Sequence, residues 1–243
     1  MRVFTILLLS FAIPPIARAQ TTFFQVPSAD VPSRGQARAQ LQGMGTTYAE
    51  FEGMLVMGLG HQWELGFTFY NLAFDLTRTT LRARQNHEDS AEPVAPTGLA
   101  SAQKLVELTQ LMGIAFGVQA GADLIEPRRA HFVGRAYALL ALDFERWGRC
   151  TAGPYVATQT FLGEHQRGGA FVGCELELMR DVFGLEADWD LGAHALGAAS
   201  VGPRFHLGEH SVIAAGVRIP NAWGSATWGG LVQLELTYPG RQD

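Results

Sequence analysis

Apolar and polar residues alternate with a period of two along much of this chain. In VFGLEADWDLG, residues 182–192, Phe183, Leu185, Ala187, Trp189 and Leu191 fall on one side of an extended strand, and Gly184, Glu186, Asp188 and Asp190 on the other. Successive side chains of a strand point to opposite faces, so this rhythm predicts a sheet with two chemically different sides. The same alternation, bounded by turn residues, predicts about twelve strands near 35–43, 49–59, 62–73, 95–105, 110–121, 130–145, 149–161, 169–179, 182–190, 195–207, 211–219 and 226–238. The fourth is the weakest, because Pro96 and Gly98 interrupt it. Tight connections, such as Gly60-His61, Arg146-Trp147-Gly148 and Gly208-Glu209-His210, alternate with generally longer ones, the largest from about Asp75 to Val94.

Which side of such strands faces water is not decided by the alternation. In a soluble sheet the apolar row looks into a protein core; in a membrane barrel it looks out at lipid and the acids line the interior. Nearly every strand carries one unbroken apolar face, as in Met112, Ile114, Phe116 and Val118, or Val232, Leu234 and Leu236. The opposite faces are crowded with glycine, including Gly58, Gly66, Gly113, Gly173, Gly184, Gly202 and Gly216. A soluble surface gains nothing from residues that weaken strands, whereas on the concave inside of a barrel small residues relieve crowding. Trp63, Phe144, Phe205 and Tyr238 fall on apolar faces near the tight-turn end, and Phe69, Trp189 and Trp228 near the other, as two interfacial girdles would require. These features predict an all-β fold: one antiparallel transmembrane β-barrel of about twelve strands over 35–238, followed by a tail, 239–243. A soluble secreted β-barrel is the alternative.

The start of the chain supports export. Arg2, an apolar run from Val3 to Ile13 and the small-residue site Ala17-Arg18-Ala19 read as a signal peptide, 1–19, cleaved before Gln20. The whole chain carries a net charge of −5; removing Arg2 and Arg18 leaves 16 basic against 23 acidic residues, a poor surface for nucleic acid. Beyond the signal no apolar run is long enough for a membrane helix, so a bilayer is crossed only by a closed barrel. The expected location is the bacterial outer membrane, with lipid and lipopolysaccharide as neighbours. Residues 20–34 hold Phe23, Phe24 and Val26 before the first strand. They form either a disordered lead-in or a plug folded against the inward glycines.

The segments FFQVPSADVPSRGQ, GLGHQWELGFTFYNL, AQKLVELTQLMGIAFGVQAG and HSVIAAGVRIPNAWGSATWGGLVQLELT together resemble a group of bacterial proteins described as predicted outer-membrane β-barrels or porin-like transporters. The resemblance spans most of the mature chain. It implies a passive role in transport and carries no catalytic signature.

By strand parity nine acids point inward, Glu50, Glu52, Glu64, Glu175, Glu177, Glu186, Asp188, Asp190 and Glu235, against four arginines, Arg38, Arg135, Arg204 and Arg218. Arg38 is expected near Glu50 or Glu52 and Glu235. The excess of carboxylate predicts a narrow pore that prefers small hydrophilic or cationic solutes. A structural or interaction barrel with a closed lumen is the second reading. A barrel enzyme is the third, and no convincing Ser or Asp with His is found for it. Arg78, Arg82 and Arg84, just beyond the third strand, are candidates for lipopolysaccharide phosphates. HEDS, residues 87–90, offers oxygen atoms without the spacing of a metal loop, and no cofactor or metal is expected. His61, His87, His165, His194 and His210 read as solvated turn residues; His131 and His206 have inward parity, and His131 with Arg135 and Asp143 reads as an ordinary polar network. Cys150 and Cys174 share outward parity on neighbouring strands but sit at different heights, so they are expected as free, lipid-facing thiols.

Overall fold

The structure is a computed structural model describing residues 22–45, 48–75, 80–82, 96–124, 131–162, 166–194, 196–221 and 228–240. Thirteen strands follow the alternation: β1 Ala37–Gly45, β2 Tyr48–Gly60, β3 Trp63–Asp75, β4 Thr80–Arg82, β5 Thr97–Thr109, β6 Met112–Asp123, β7 Phe132–Asp143, β8 Gly148–Ala157, β9 Gly168–Met179, β10 Phe183–Leu191, β11 Ala198–His206, β12 Ser211–Pro220 and β13 Gly229–Tyr238. Apart from β4, each pairs antiparallel with the strands before and after it, β3 pairing with β5 from Trp63↔Lys104 to Tyr70↔Thr97, and β1 pairs with β13 from Ala37↔Tyr238 to Gly45↔Gly230. With β2 against β3, the ring closes as a 12-strand barrel and leaves no long edge. The short β4 stands outside the ring, paired to the end of β3 that β5 does not reach.

The barrel is apolar outside, and its charged strand residues are mostly turned inward. On β10, Leu185 and Trp189 are exposed, whereas Glu186, Asp188 and Asp190 are buried. On β13, Val232, Leu234 and Leu236 are exposed and Gln233 and Glu235 buried. Trp63, Phe144, Phe205 and Tyr238 stand exposed at the tight-turn rim, and Trp189 and Trp228 at the other. An apolar exterior continuous around the barrel exceeds what a monomeric soluble surface carries.

The tight turns owe their shape to left-handed residues. His61 and Gln62, both at positive φ (52° and 61°), form the two-residue loop that matches strand twist, and Asp181 and Gly208 serve the same rim. Asn71, at φ 60°, bulges β3, so Phe51 faces Leu72 while Gly53 faces Phe69.

The strand foreseen over 149–161 stops at Ala157: Gly134 N–H donates to Thr158 Oγ1 at 3.2 Å, and Gln159–Leu162 turn as one helical turn, α1, that buries Phe161 and Leu162. The apolar residues at the end of that segment fill the lumen and so leave the ladder. Cys150 and Cys174, expected as free thiols, are direct register partners with Cα atoms 4.1 Å apart and form a disulfide on the outer face. Strand stagger, an obligatory part of barrel closure, brings residues at unequal distances from their strand ends to one height.

Candidate functional site: an occupied lumen

At the tight-turn rim the chain doubles back before β1. Gly35, at φ 75°, allows the bend, Gly35 N–H donates to Gly58 O, and Gly58 N–H donates to Gln36 O, both at 2.9 Å. Ser33 N–H bonds Gln36 Oε1 at 3.0 Å. Residues 22–32 then run inside the barrel, with Ser33 and Arg34 exposed at the rim. Thr22 bridges Pro27, and Phe23 N–H donates to Val26 O at 2.9 Å, making a compact loop. Phe23 and Val26 are 0 % exposed and Phe24 is 2 % exposed.

The barrel wall is cut to this segment. A Cβ on Gly173 would lie 2.3 Å from the Phe23 ring, and one on Gly58 only 2.1 Å from Pro32 O. Either would collide, so two inward glycines leave room for one chain. The polar contacts are equally specific. Asp188 Oδ2 accepts Val26 N–H at 2.8 Å and also Gln25 N–H. Gln40 donates to Thr22 Oγ1, and Gln103 to Ser28 O at 3.1 Å. Asp30 pairs with Arg149, which also reaches Glu175 at 3.2 Å; Glu175 in turn pairs with Arg204.

The inner wall has two unlike arcs. Leu99 on β5, Ala115 on β6, Val133, Tyr137 and Leu139 on β7, Tyr155 on β8 and Phe171 on β9 form an apolar cluster with Phe161 and Leu162 of α1, and Phe23, Val26 and Ala29 pack into it. The remaining arc is mostly charged. Glu50, Glu64, Glu175, Glu177, Glu186, Asp188, Asp190 and Glu235, with Arg38, Arg204 and Arg218, are all buried there, and Glu52 is half-buried. Phe24 finds a smaller patch, Ala214 and Leu231. Arg135 lies on the apolar arc. Its guanidinium sits 5.3 Å from the Phe171 ring centre, 5.4 Å from Phe161 and 5.7 Å from Tyr70, and donates to Gln119 and Tyr70 Oη at 2.6 and 2.9 Å.

The register rearranges several expected partnerships. Arg38 faces Val56, so Glu50 and Glu52 lie further along β2; Glu64 and Glu235 act electrostatically on Arg38, while Glu50 and Glu52 act on Arg218. His131, Arg135 and Asp143 do not form one network. His131 Nδ1 is 3.0 Å from Asp123 Oδ2, and Asp143 Oδ1 accepts Glu145 N–H at the opposite rim. His194, expected as a solvated turn residue, is 0 % exposed. Tyr155 Oη donates to Asp190 Oδ1 at 2.6 Å and contacts His194 Nε2, which is 3.4 Å from Asp190. Asp30 precedes any strand, so alternation gives it no side; Arg149 stands at the start of β8, and the outward parity of Cys150 beside it is the signal that it faces inward.

Beside the inner part of the segment the described cavities are small. Two cavities of about 20 Å³ each, both lined by Gln25, Glu52 and Tyr70, hold water-sized chambers. On the tight-turn side a vestibule of about 370 Å³ opens beneath Ala29 and Asp30, walled by Leu105, Ala141, Arg149 and Thr151. Arg78, Arg84 and HEDS lie outside the described residues; Arg82 is described only through the backbone of β4. Among the described residues no three His, Cys, Asp or Glu side chains converge on a metal centre. Compared with known proteins, the chain matches no family model and no curated protein.

Proposed function

We propose that the chain is an outer-membrane barrel of the porin-like kind, held shut at rest by residues 22–34, which passes small hydrophilic or cationic solutes when that segment leaves. The observation that carries this reading is the use of Asp188: a carboxylate of the acidic arc holds two backbone amides of the segment. A lumen rich in buried carboxylates is costly unless polar partners fill it, and its field concentrates cations once water enters. The apolar exterior supports a bilayer location, and the short turns then face the periplasm. In this reading residues 1–19 are a signal peptide removed before Gln20, and Arg78, Arg82 and Arg84 meet lipopolysaccharide phosphates.

Planar-bilayer recording tests the proposal. Purified full-length protein is expected to show little conductance, and deletion of residues 20–33 to raise it at least tenfold with cation preference. Equal conductance of the two proteins removes the channel. A second reading, a closed barrel whose loops bind partners, draws on the tight packing of the segment, beside which two cavities near Gln25 are no more than water-sized. It predicts that the deletion conducts no better. Recovery of the protein in the soluble periplasm without detergent would defeat both.

A further inference from the structure

We propose that the solute class of this lumen is the amphipathic organic cation, an aromatic or alkyl body carrying an ammonium group, bound where residues 23–29 now lie. The inference rests on the reading that the segment vacates the lumen. A pore for hydrated ions alone gains nothing from an arc of Leu99, Val133, Tyr137, Leu139 and Phe171 facing an arc of carboxylates. Apolar side chains at a water-filled wall forgo about 25 cal/mol for every Å² left wet, so such an arc calls for an apolar occupant.

The present occupant shows what fits. Phe23, Val26 and Ala29 cover the apolar arc, and the N–H groups of Gln25 and Val26 satisfy Asp188 on the other. A replacement must do both: carry an apolar body and present N–H donors, preferably charged. On the acidic arc, Oε2 of Glu64 and Oε2 of Glu235, in side chains more than nine-tenths buried, accept no hydrogen bond among the described residues. The apolar arc also already holds a cation, since Phe171, Phe161 and Tyr70 surround the Arg135 guanidinium at 5.3–5.7 Å. Aromatic faces at this range attract ammonium groups, and they do so best where water is excluded. The vestibule of about 370 Å³ is of the size that admits a small organic molecule from the tight-turn side, and its roof is the Asp30 end of the segment.

The test keeps the full chain. Asp30→Ala with Phe23→Ser removes one charged and one apolar anchor of the segment and leaves Asp188 on the wall, and the variant is recorded in planar bilayers in potassium chloride. Phenethylammonium is expected to block the potassium current at a concentration at least tenfold lower than ethylammonium, while phenylacetate at the same concentrations leaves it unchanged. Adding Phe171→Ser is expected to raise the blocking concentration of phenethylammonium about tenfold relative to that of ethylammonium. If current flows but the two ammonium ions block alike, or phenylacetate blocks as well, the lumen selects no amphipathic cation and the proposal is wrong while the channel stands. If the heat-induced gel shift shows that the double variant does not fold, Gly58→Val displaces the segment by collision with Pro32 O and the same comparison is made on it. A folded, opened variant without current removes the channel and this proposal together.

Discussion

A single buried histidine illustrates how strongly the lumen constrains individual side chains. In sequence His194 lies in a loop between strands, where solvation is the default. In the folded chain Tyr155 of β8 and Asp190 of β10 meet it behind the wall, and Tyr155 stacks on Phe171 with ring centres 4.1 Å apart. No local spacing reveals such a set, because its members come from two strands and a loop. Tyr155→Phe keeps the stacking and deletes the shared hydroxyl, leaving Asp190 and His194 short of a partner; a loss of about 1–3 kcal/mol is expected. Urea unfolding followed by the gel shift measures it, and an unchanged midpoint would return His194 to solvent. Glycine offers a second residue-scale test. Gly58→Val places atoms where Pro32 O and Ser33 O stand, 2.1 and 2.2 Å from the added Cβ, and the segment has to move. Conductance is expected to rise towards that of the deletion; if it does not, the segment is not what blocks passage.

Strands were the most legible elements, because each must show lipid-like residues on one side and small or polar ones on the other for its whole length. Even β5 largely follows the rule: Pro96 falls just before its first residue and Gly98 lies within it, leaving an outward row from Ala100 to Leu108 that only Lys104, set over the Trp63 ring, interrupts. Register was not legible. Alternation fixes the side a residue faces but not the neighbour it meets, which depends on the stagger summed around the ring. That is why Arg38 keeps its expected neighbour Glu235 but has Glu64 in place of Glu50 or Glu52, and why Cys150 and Cys174 meet despite their unequal distances from their strand ends. The disulfide makes the register measurable. Maleimide labelling of unfolded, unreduced protein is expected to modify neither cysteine, and labelling after reduction to modify both; reaction without reductant would contradict the β8–β9 pairing. The fate of 158–162 was hidden for a related reason: Phe161 and Leu162 are apolar enough for a strand, and only the space inside the barrel turns them inward.

For the molecule as a whole, an apolar exterior encloses charged residues that share the interior with one apolar cluster. Parity points nine acids and four arginines into the lumen, and the structure adds Asp30, Asp123 and Arg149, so the excess of carboxylate grows by one. Cation preference is therefore expected of the opened channel. It should be strongest in dilute salt, where the screening length is about 30 Å at 0.01 M against about 10 Å at 0.1 M. Replacing Glu177 and Glu186 by Gln and Asp188 by Asn in the 20–33 deletion is expected to shift the reversal potential in a potassium chloride gradient towards zero. Anion preference in the parent deletion would show that these carboxylates do not set the field.

The threading of residues 22–32 has a practical side. The barrel closes along a seam between β1 and β13, the two strands furthest apart in the chain, and the segment that precedes β1 already lies within that closure. An affinity tag joined directly ahead of Thr22 must therefore share the interior or expel the residues that follow it, and a protein prepared that way would report on an altered molecule. A tag placed after Gly240, beyond β13 at the tight-turn rim, leaves the interior as it is.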